Sequence, residues 1–388
     1  MSTGMIAQKI NGVDVEAFER LLETLKNDPR TAAFQFRSST KWKDGAVVAS
    51  TFAGYRRDGL HIARPVAHTL ASDEPPALLG TGTAVGPTGH LLHALSHSLA
   101  VAMVYYGAAQ GIEIEALNID AEGTLDLQGL LGLDERVKPG FKQIHLNVRV
   151  DSPCPPERIR RLLQYAQGRS PVWQTVSQPV SIDWRFDIDA TDAPADTGDV
   201  RHGVDMNRLT ATVAAIQESP VLARCRFYTS AEWQGGAQVK STNPGFDQAE
   251  GPLLIEHRDT EPKGYLGDQV PELLGSDKGV APEEALLQAM AGCVSVTTSY
   301  HAAARGIRLE AFDVDFESDV DMQGFGDLDD RVIPGFQQVR GRVYIKAGGS
   351  EQALRELLEF TTAHSPMCNS VAKPVQITCS LTCNGQPA

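Results

Sequence analysis

The chain has 388 residues, 42% hydrophobic and 22% charged, with 49 Asp plus Glu against 35 Lys plus Arg. This composition excludes disorder as the main state and gives length enough for two domains, each burying its own core. A formal charge of -14 repels polyphosphate, so nucleic acid and anionic membrane surfaces are excluded as expected partners and small or neutral ones remain. No apolar run reaches the ~18 residues that cross a bilayer, and MSTGMIAQKI lacks a basic region followed by an apolar stretch. The expected location is the cytoplasm. There, six cysteines are expected as core residues or reactive thiols rather than as a disulfide framework.

The chain is one domain written twice. GTLDLQGLLGLDERVKPGFKQIHL recurs as SDVDMQGFGDLDDRVIPGFQQVRG, and the register holds without gaps from Leu78 on Leu273 to Trp184 on Cys379, an offset of 195 residues. Upstream, Gly12, Asp14, Pro29, Phe36, Trp42 and Gly45 match Gly203, Asp205, Pro220, Phe227, Trp233 and Gly236 at an offset of 191. A period this long means whole domains, because solenoid units repeat every 20 to 50 residues. The boundaries read as a domain over 1–190, a linker over 191–203 rich in Asp, Ala, Pro and Gly, and a domain over 204–388.

Each copy reads as a mixed α+β unit. An amphipathic helix from about Val13 to Lys26 opens the first, with Asp14 as N-cap and Glu16 at the positive end of the dipole. AAFQFRSSTKW and ARCRFYTSAEW then alternate like strands and end in a Gly turn, as hairpins do. A helix of about 22 residues starts at Pro282 and closes at Gly306. It is apolar nearly all round, which places it at the centre of its domain with sheet about it. Strands over 307–319 and 336–347, a charged helix over 350–363, a short helical turn and a strand from Pro374 complete an order ββαββαβ.

Chemistry points to sulfur. Cys293 sits on the central helix beside Ala289, Ala291 and Gly292, small enough to admit another chain or a substrate. Cys368 follows Ser365 and Pro366 in a helix's first turn, where the dipole favours a thiolate. Cys293, about three turns into its helix, has no such help. Free cysteine is most often a small buried hydrophobe, and the bland reading applies to each one alone. Comparison of the copies argues otherwise: Ser98 stands in the place of Cys293, Trp173 in that of Cys368 and Thr88 in that of Glu283, while the Pro, Leu, Gly and Phe framework is kept. A packing role would survive in both copies; a reactive one need survive in only one.

PEEALLQAMAGC, LDLQGLLGLDERVKPGF and RSPVWQTVSQPV resemble motifs of the OsmC and Ohr (organic hydroperoxide resistance) family, and the resemblance covers both halves. It implies two tandem OsmC-like domains forming a pseudo-dimer within one chain, sheets wrapped around two long central helices, with sites at the interface between copies. It implies thiol-dependent reduction of organic hydroperoxides, with Cys293 attacking peroxide, Glu283 orienting a catalytic arginine and a second cysteine, Cys368, resolving the sulfenate. The family's usual resolving cysteine aligns with Ser365. No arginine occupies the matching place before Glu283; Arg258, Lys278, Lys43 and Arg57 are unplaced candidates. If the acid acts across the interface, Thr88 rather than Glu283 faces Cys293. An apolar substrate pocket is expected from the helix's small face with Trp173 and Trp42. The expected partners are a small sulfur-reactive substrate and an external thiol reductant such as a dithiol, with no cofactor and no metal. A sulfur-transfer or persulfide-handling enzyme and a non-catalytic binder of a small apolar ligand are the alternatives.

His90, His93 and His97 lie on one arc of the first copy's central helix, and His93 and His97, four apart, could share a metal. His90 to His97 spans about 10 Å along the axis and no third ligand stands at obvious spacing, so they read as core or interface residues rather than a zinc site. Cys379 and Cys383 share a strand face too far apart to bond. Asp126, Asp134 and Arg136 recur as Asp321, Asp329 and Arg331, as expected of loop caps and ion pairs.

Overall fold

The computed structural model describes residues 9–388; the N-terminal reading of MSTGMIAQ and the start of the first domain lie outside the described residues. The first half contains helix α1 (Val15–Asn27), strands β1 (Ala33–Asp44), β2 (Val47–Arg57) and β3 (Leu60–Ser72), and the long helix α2 (Pro87–Ala109). Strands β4 (Ala116–Asp126) and β5 (Gln143–Asp151), helices α3 (Pro156–Arg169) and α4 (Pro171–Ser177), and strand β6 (Ile182–Thr191) follow. The second half repeats this order with α5 (Met206–Glu218), β7 (Arg224–Gly235), β8 (Gln238–Gln248), β9 (Ile255–Gly267) and α6 (Pro282–Ala304). It ends with β10 (Leu309–Asp321), β11 (Phe336–Gly348), α7 (Glu351–His364), α8 (Pro366–Ala372) and β12 (Gln376–Cys383). Between the halves, residues 192–197 carry no regular element.

Neither half builds a sheet by itself. One sheet runs β9-β8-β7-β4-β5-β12, closed by the short strand Gln386–Pro387; the other runs β3-β2-β1-β10-β11-β6. The second half's three-stranded meander therefore joins the first half's β4, with Phe227 opposite Gly123, and the first half's meander joins β10, with Phe36 opposite Ser318. The exchange is completed by β6, parallel to β11, and β12, parallel to β5. The fold is thus two similar α+β units interlocked as a pseudo-dimer, and the two central helices pack against each other between the sheets.

Local chemistry explains most elements. Asp14 caps α1 by accepting the Ala17 N–H at 2.9 Å. Every residue of α2 from Pro87 to Ala108 is buried, as is every residue of α6 from Pro282 to Tyr300, which fits helices without a polar face. By length and composition α2 could cross a bilayer, yet it lies wholly inside the protein. The order ββαββαβ omits one strand per half. β3 and β9 are the outer strands of their sheets and contain Pro65 and Pro262, which an edge tolerates because one row of N–H groups needs no partner. Their mostly exposed or half-buried sequences lack the alternation by which a half-buried strand is read.

Candidate active site

The small residues around Cys293 let the halves approach closely. A Cβ placed on Gly292 would stand 3.1 Å from Ser72 Oγ and 3.4 Å from Pro87 Cγ, both from the first half. Cys293 is 6% exposed and opens onto a pocket of about 50 Å³. Its own half supplies Val296, Thr297, Tyr300 and Phe227; the first half supplies Glu74, Thr88 and the leucines from Leu125 to Leu131. The pocket shares Ala77, Thr88 and Phe227 with a larger surface groove, which gives it an approach from outside. The Met367 N–H, at the start of α8, donates to Cys293 Sγ at 3.4 Å.

The twin chamber repeats this geometry with oxygen. The Val172 N–H donates to Ser98 Oγ at 3.2 Å, and Ser170 Oγ lies 2.8 Å from it. The residues lining this smaller pocket include Ser98, Tyr105, Phe325, Gln269 and Glu283. Glu283 therefore stands in the chamber of Ser98, and Thr88 in that of Cys293. The start of each central helix meets the middle of its partner, so the helices run antiparallel; ten residues along one helix span about 15 Å, too far for Glu283 to share a pocket with Cys293. The grouping of Cys293 with Glu283 gives way to one across the halves.

The carboxyl in the Cys293 chamber belongs to Glu74. Its loop is fixed by Asp73, which accepts from the Thr81 N–H at 3.2 Å and the Thr83 N–H at 2.9 Å. Asp268 does the same for Ser276 and Lys278, both at 3.1 Å, so Glu74 and Gln269 are counterparts at the offset of 195. Glu74 Oε2 is buried without a hydrogen-bond partner. Burial, then the neighbouring Asp73, pushes its pKa up to about 8. In the twin, burial pushes Glu283 up to about 7 while the Gln269 amide, donating at 3.2 Å, opposes.

Burial pushes the Cys293 thiol up to about 12; the Ser365 hydroxyl and the Met367 N–H partly offset this, and Glu74 adds to it. The pocket lining contains no Lys, Arg or His. Cys368 is also buried and its thiol is raised, chiefly by desolvation. Its sulfur lies 4.0 Å from Met290 O, it lines a different surface pocket with Trp184 and Lys373, and both cysteines are free thiols. First-turn placement thus gives Cys368 no thiolate, because α8 is short and its start is buried.

The cation candidates are engaged elsewhere or absent from the pocket. Arg258 pairs with Asp247 at 2.7 Å, Arg57 donates to Thr31 O at 2.9 Å, and Lys43 and Lys278 do not line the pocket. Neither tryptophan contributes to it: Trp42 Nε1 donates to Gly45 O at 3.1 Å, and Trp173 packs in the core beside Ser170. An arginine that sequence reasoning passed over, Arg64 on the edge strand β3, is buried and holds Glu284 through two bonds of 2.7 and 3.1 Å, with Asp277 at 2.9 Å. Among the described residues no His, Cys, Asp and Glu cluster could hold a metal. His90 contacts Tyr265 and Ala71 O, His93 the Ser241 hydroxyl, and His97 Ala237 O. Asp134 with Arg136, and Asp329 with Arg331, form exposed ion pairs in matching loops.

A comparison with curated proteins returned no match. Among solved structures, an OsmC-like protein from Mycoplasma pneumoniae is similar at 19% identity and a TM-score of 0.26, over 35% of this chain and 87% of that one. The sequence profile of the family described as OsmC-like protein matches twice, over residues 80–185 and 275–380, each time spanning a central helix and the strands that follow it. With more than half of its length covered in two successive copies, the chain belongs to the OsmC-like family.

Proposed function

We propose that this protein reduces organic hydroperoxides with the thiol of Cys293. The observation that carries the reading is the placement of that sulfur: it lines an apolar pocket built by both halves, and a backbone N–H is directed at it. Deprotonated sulfur attacks the distal peroxide oxygen, the O–O bond breaks, and the alcohol leaves as the cysteine becomes a sulfenic acid. A second thiol then displaces water from the sulfenic acid to form a disulfide, which an external thiol reduces. Cys368 is the first candidate for that second thiol, because it adjoins Met367, whose N–H contacts Cys293. The leucine-rich lining favours an organic substrate over hydrogen peroxide. A thiol that must return to its reduced form at each turnover suits the cytoplasm.

The test is incubation with cumene hydroperoxide and a dithiol, comparing wild type with Cys293→Ser. Peroxide-dependent dithiol consumption by wild type alone is the expected result; equal consumption by the variant overturns the reading. Sulfur transfer is a second reading, favoured by one observation: the pocket lining holds no cation to stabilise a thiolate or a departing alkoxide. It predicts that a sulfur donor, not a hydroperoxide, modifies Cys293, adding one sulfur atom to its mass.

A further inference from the structure

Resting on the peroxidase reading, we infer that Glu74 is the acid–base group of the Cys293 chamber and does with one proton what a cation would otherwise do with charge. Its carboxyl oxygen Oε2 is buried, unpartnered and part of the same pocket wall as Cys293. The residue is held in place rather than mobile: the Gly82 N–H donates to Glu74 O at 3.0 Å, and Asp73 ties the following loop. Space is reserved for the carboxyl at the start of α2, where the N-cap is Gly86; a Cβ there would lie 3.4 Å from Glu74 Oε2.

The twin supplies the control. Each chamber holds one buried carboxyl and one neutral side chain at two corresponding positions, but the acid has changed places. The Ser98 chamber has Glu283 on the helix and Gln269 on the loop; the Cys293 chamber has Thr88 on the helix and Glu74 on the loop. In the twin, the amide of Gln269 occupies the acid's Oε2. In the thiol chamber Thr88 leaves Glu74 Oε2 free. Glu283 keeps Oε1 unpartnered but faces a hydroxyl; the carboxyl that stands on the loop in the thiol chamber, with Oε2 unpaired, is available to the sulfur and to whatever enters the pocket.

The step balances without a cation. The Glu74 carboxylate takes the Cys293 thiol proton as Sγ bonds to the distal oxygen of the hydroperoxide; the O–O bond breaks, two electrons pass from sulfur to oxygen, and the departing alkoxide recovers the proton from Glu74. The sum is thiol plus hydroperoxide giving sulfenic acid plus alcohol. The base form is needed first, so oxidation should accelerate as pH rises through about 8, where Glu74 titrates. The other titratable or charged groups facing Glu74 are Asp73 on its own loop, Cys293 and Tyr300 on α6 and Cys225 on β7; Arg208 on α5 sits over the same loop, bonded to Pro76 O. The two thiols and Tyr300 titrate above this range.

The experiment is single-turnover oxidation of Cys293 by cumene hydroperoxide, followed by mass from pH 6 to 10, in wild type, Glu74→Gln, Glu74→Asp and the double variant Glu74→Gln with Thr88→Glu. The expected result is a rate step near pH 8 in wild type, loss of that step with a rate about 100-fold lower in Glu74→Gln, and its partial return in Glu74→Asp and the double variant. Return in either variant separates lost chemistry from lost folding. Glu74→Gln matching wild type in rate and pH profile overturns the role of Glu74 and leaves the peroxidase reading intact. Wild type left unoxidised at Cys293 overturns the peroxidase reading itself.

Discussion

The two chambers of this molecule share a scaffold and differ in chemistry. In one, the N–H of Met367 meets a thiol; in the other, the N–H of Val172 meets a hydroxyl, at 3.4 and 3.2 Å. Ser170 bonds both Ser98 and the Trp173 N–H, whereas its counterpart Ser365 caps no N–H and its buried hydroxyl lies beside the Cys293 thiol. The Ser98 chamber pairs its hydroxyls and one oxygen of Glu283, leaving Glu283 Oε1 without a partner, and the Cys293 chamber leaves Glu74 Oε2 without one beside a sulfur. Unpaired buried polar groups are costly to fold, so an unpartnered carboxyl oxygen sharing a pocket with a thiol marks a place where something binds.

The comparison breaks first if the twin is active. Cys293→Ser should abolish peroxide-dependent thiol consumption, a loss above 1000-fold by the scale of removed nucleophiles, while Ser98→Ala should leave turnover within about twofold; the same dithiol-coupled assay reads both. A loss in Ser98→Ala equal to that in Cys293→Ser would make the two chambers one functional unit.

Next in size is the buried ion pair of Glu284, which only one of the two central helices makes. Glu284 has Gly89 as its counterpart in α2, so Arg64 has no equivalent task in the twin. Arg64→Ala strands a fully buried carboxylate and should cost about 3–5 kcal/mol in urea unfolding. A cost below about 1 kcal/mol would show that Glu284 takes up a proton instead, and that the pair is no strut.

A smaller effect is expected from Cys368→Ser. If Cys368 resolves the sulfenic acid, wild type treated with hydroperoxide loses two hydrogens in mass, and the variant gains one oxygen atom at Cys293 and recycles several-fold more slowly. Unchanged turnover would hand the resolving step to the external thiol. The least effect separates the two serines. Ser170→Ala removes a cap and a hydroxyl pair and should cost about 1 kcal/mol. Ser365→Ala removes a hydroxyl that caps no N–H, costs less, and raises the Cys293 pKa further by removing a donor to its sulfur, so thiol alkylation at pH 8 should slow.

Much of this was written along the chain. The offset of 195 residues exposed the duplication, and the apolar sequence of PEEALLQAMAGCVSVTTSYHAAA required a helix buried on all sides, as α6 is. The exchange of Cys293 for Ser98 singled out one copy, because two copies of one scaffold can be read against each other residue by residue. The same reading extended a few positions upstream would have flagged Glu74 against Gln269. It stopped at Leu78, where the framework residues that anchor the register thin out. Arg64 left no comparable trace, since it stands before a proline in a largely exposed edge strand with nothing to set it apart from a solvated residue.

What only the tertiary structure decided is which residues share a chamber. Sequence proximity joins Glu283 to Cys293 on one helix, but a straight helix keeps residues ten apart at a fixed distance, and no local rule brings them closer. The antiparallel pairing of two central helices, enforced by sheets that exchange strands between the halves, sets Thr88 and Glu74 before the sulfur and Glu283 before Ser98. Local sequence thus determined the elements and the asymmetry between copies. Long-range packing determined the neighbours of the thiol, because the wall that holds Glu74, Thr88 and the leucines from Leu125 to Leu131 comes from the other half of the chain.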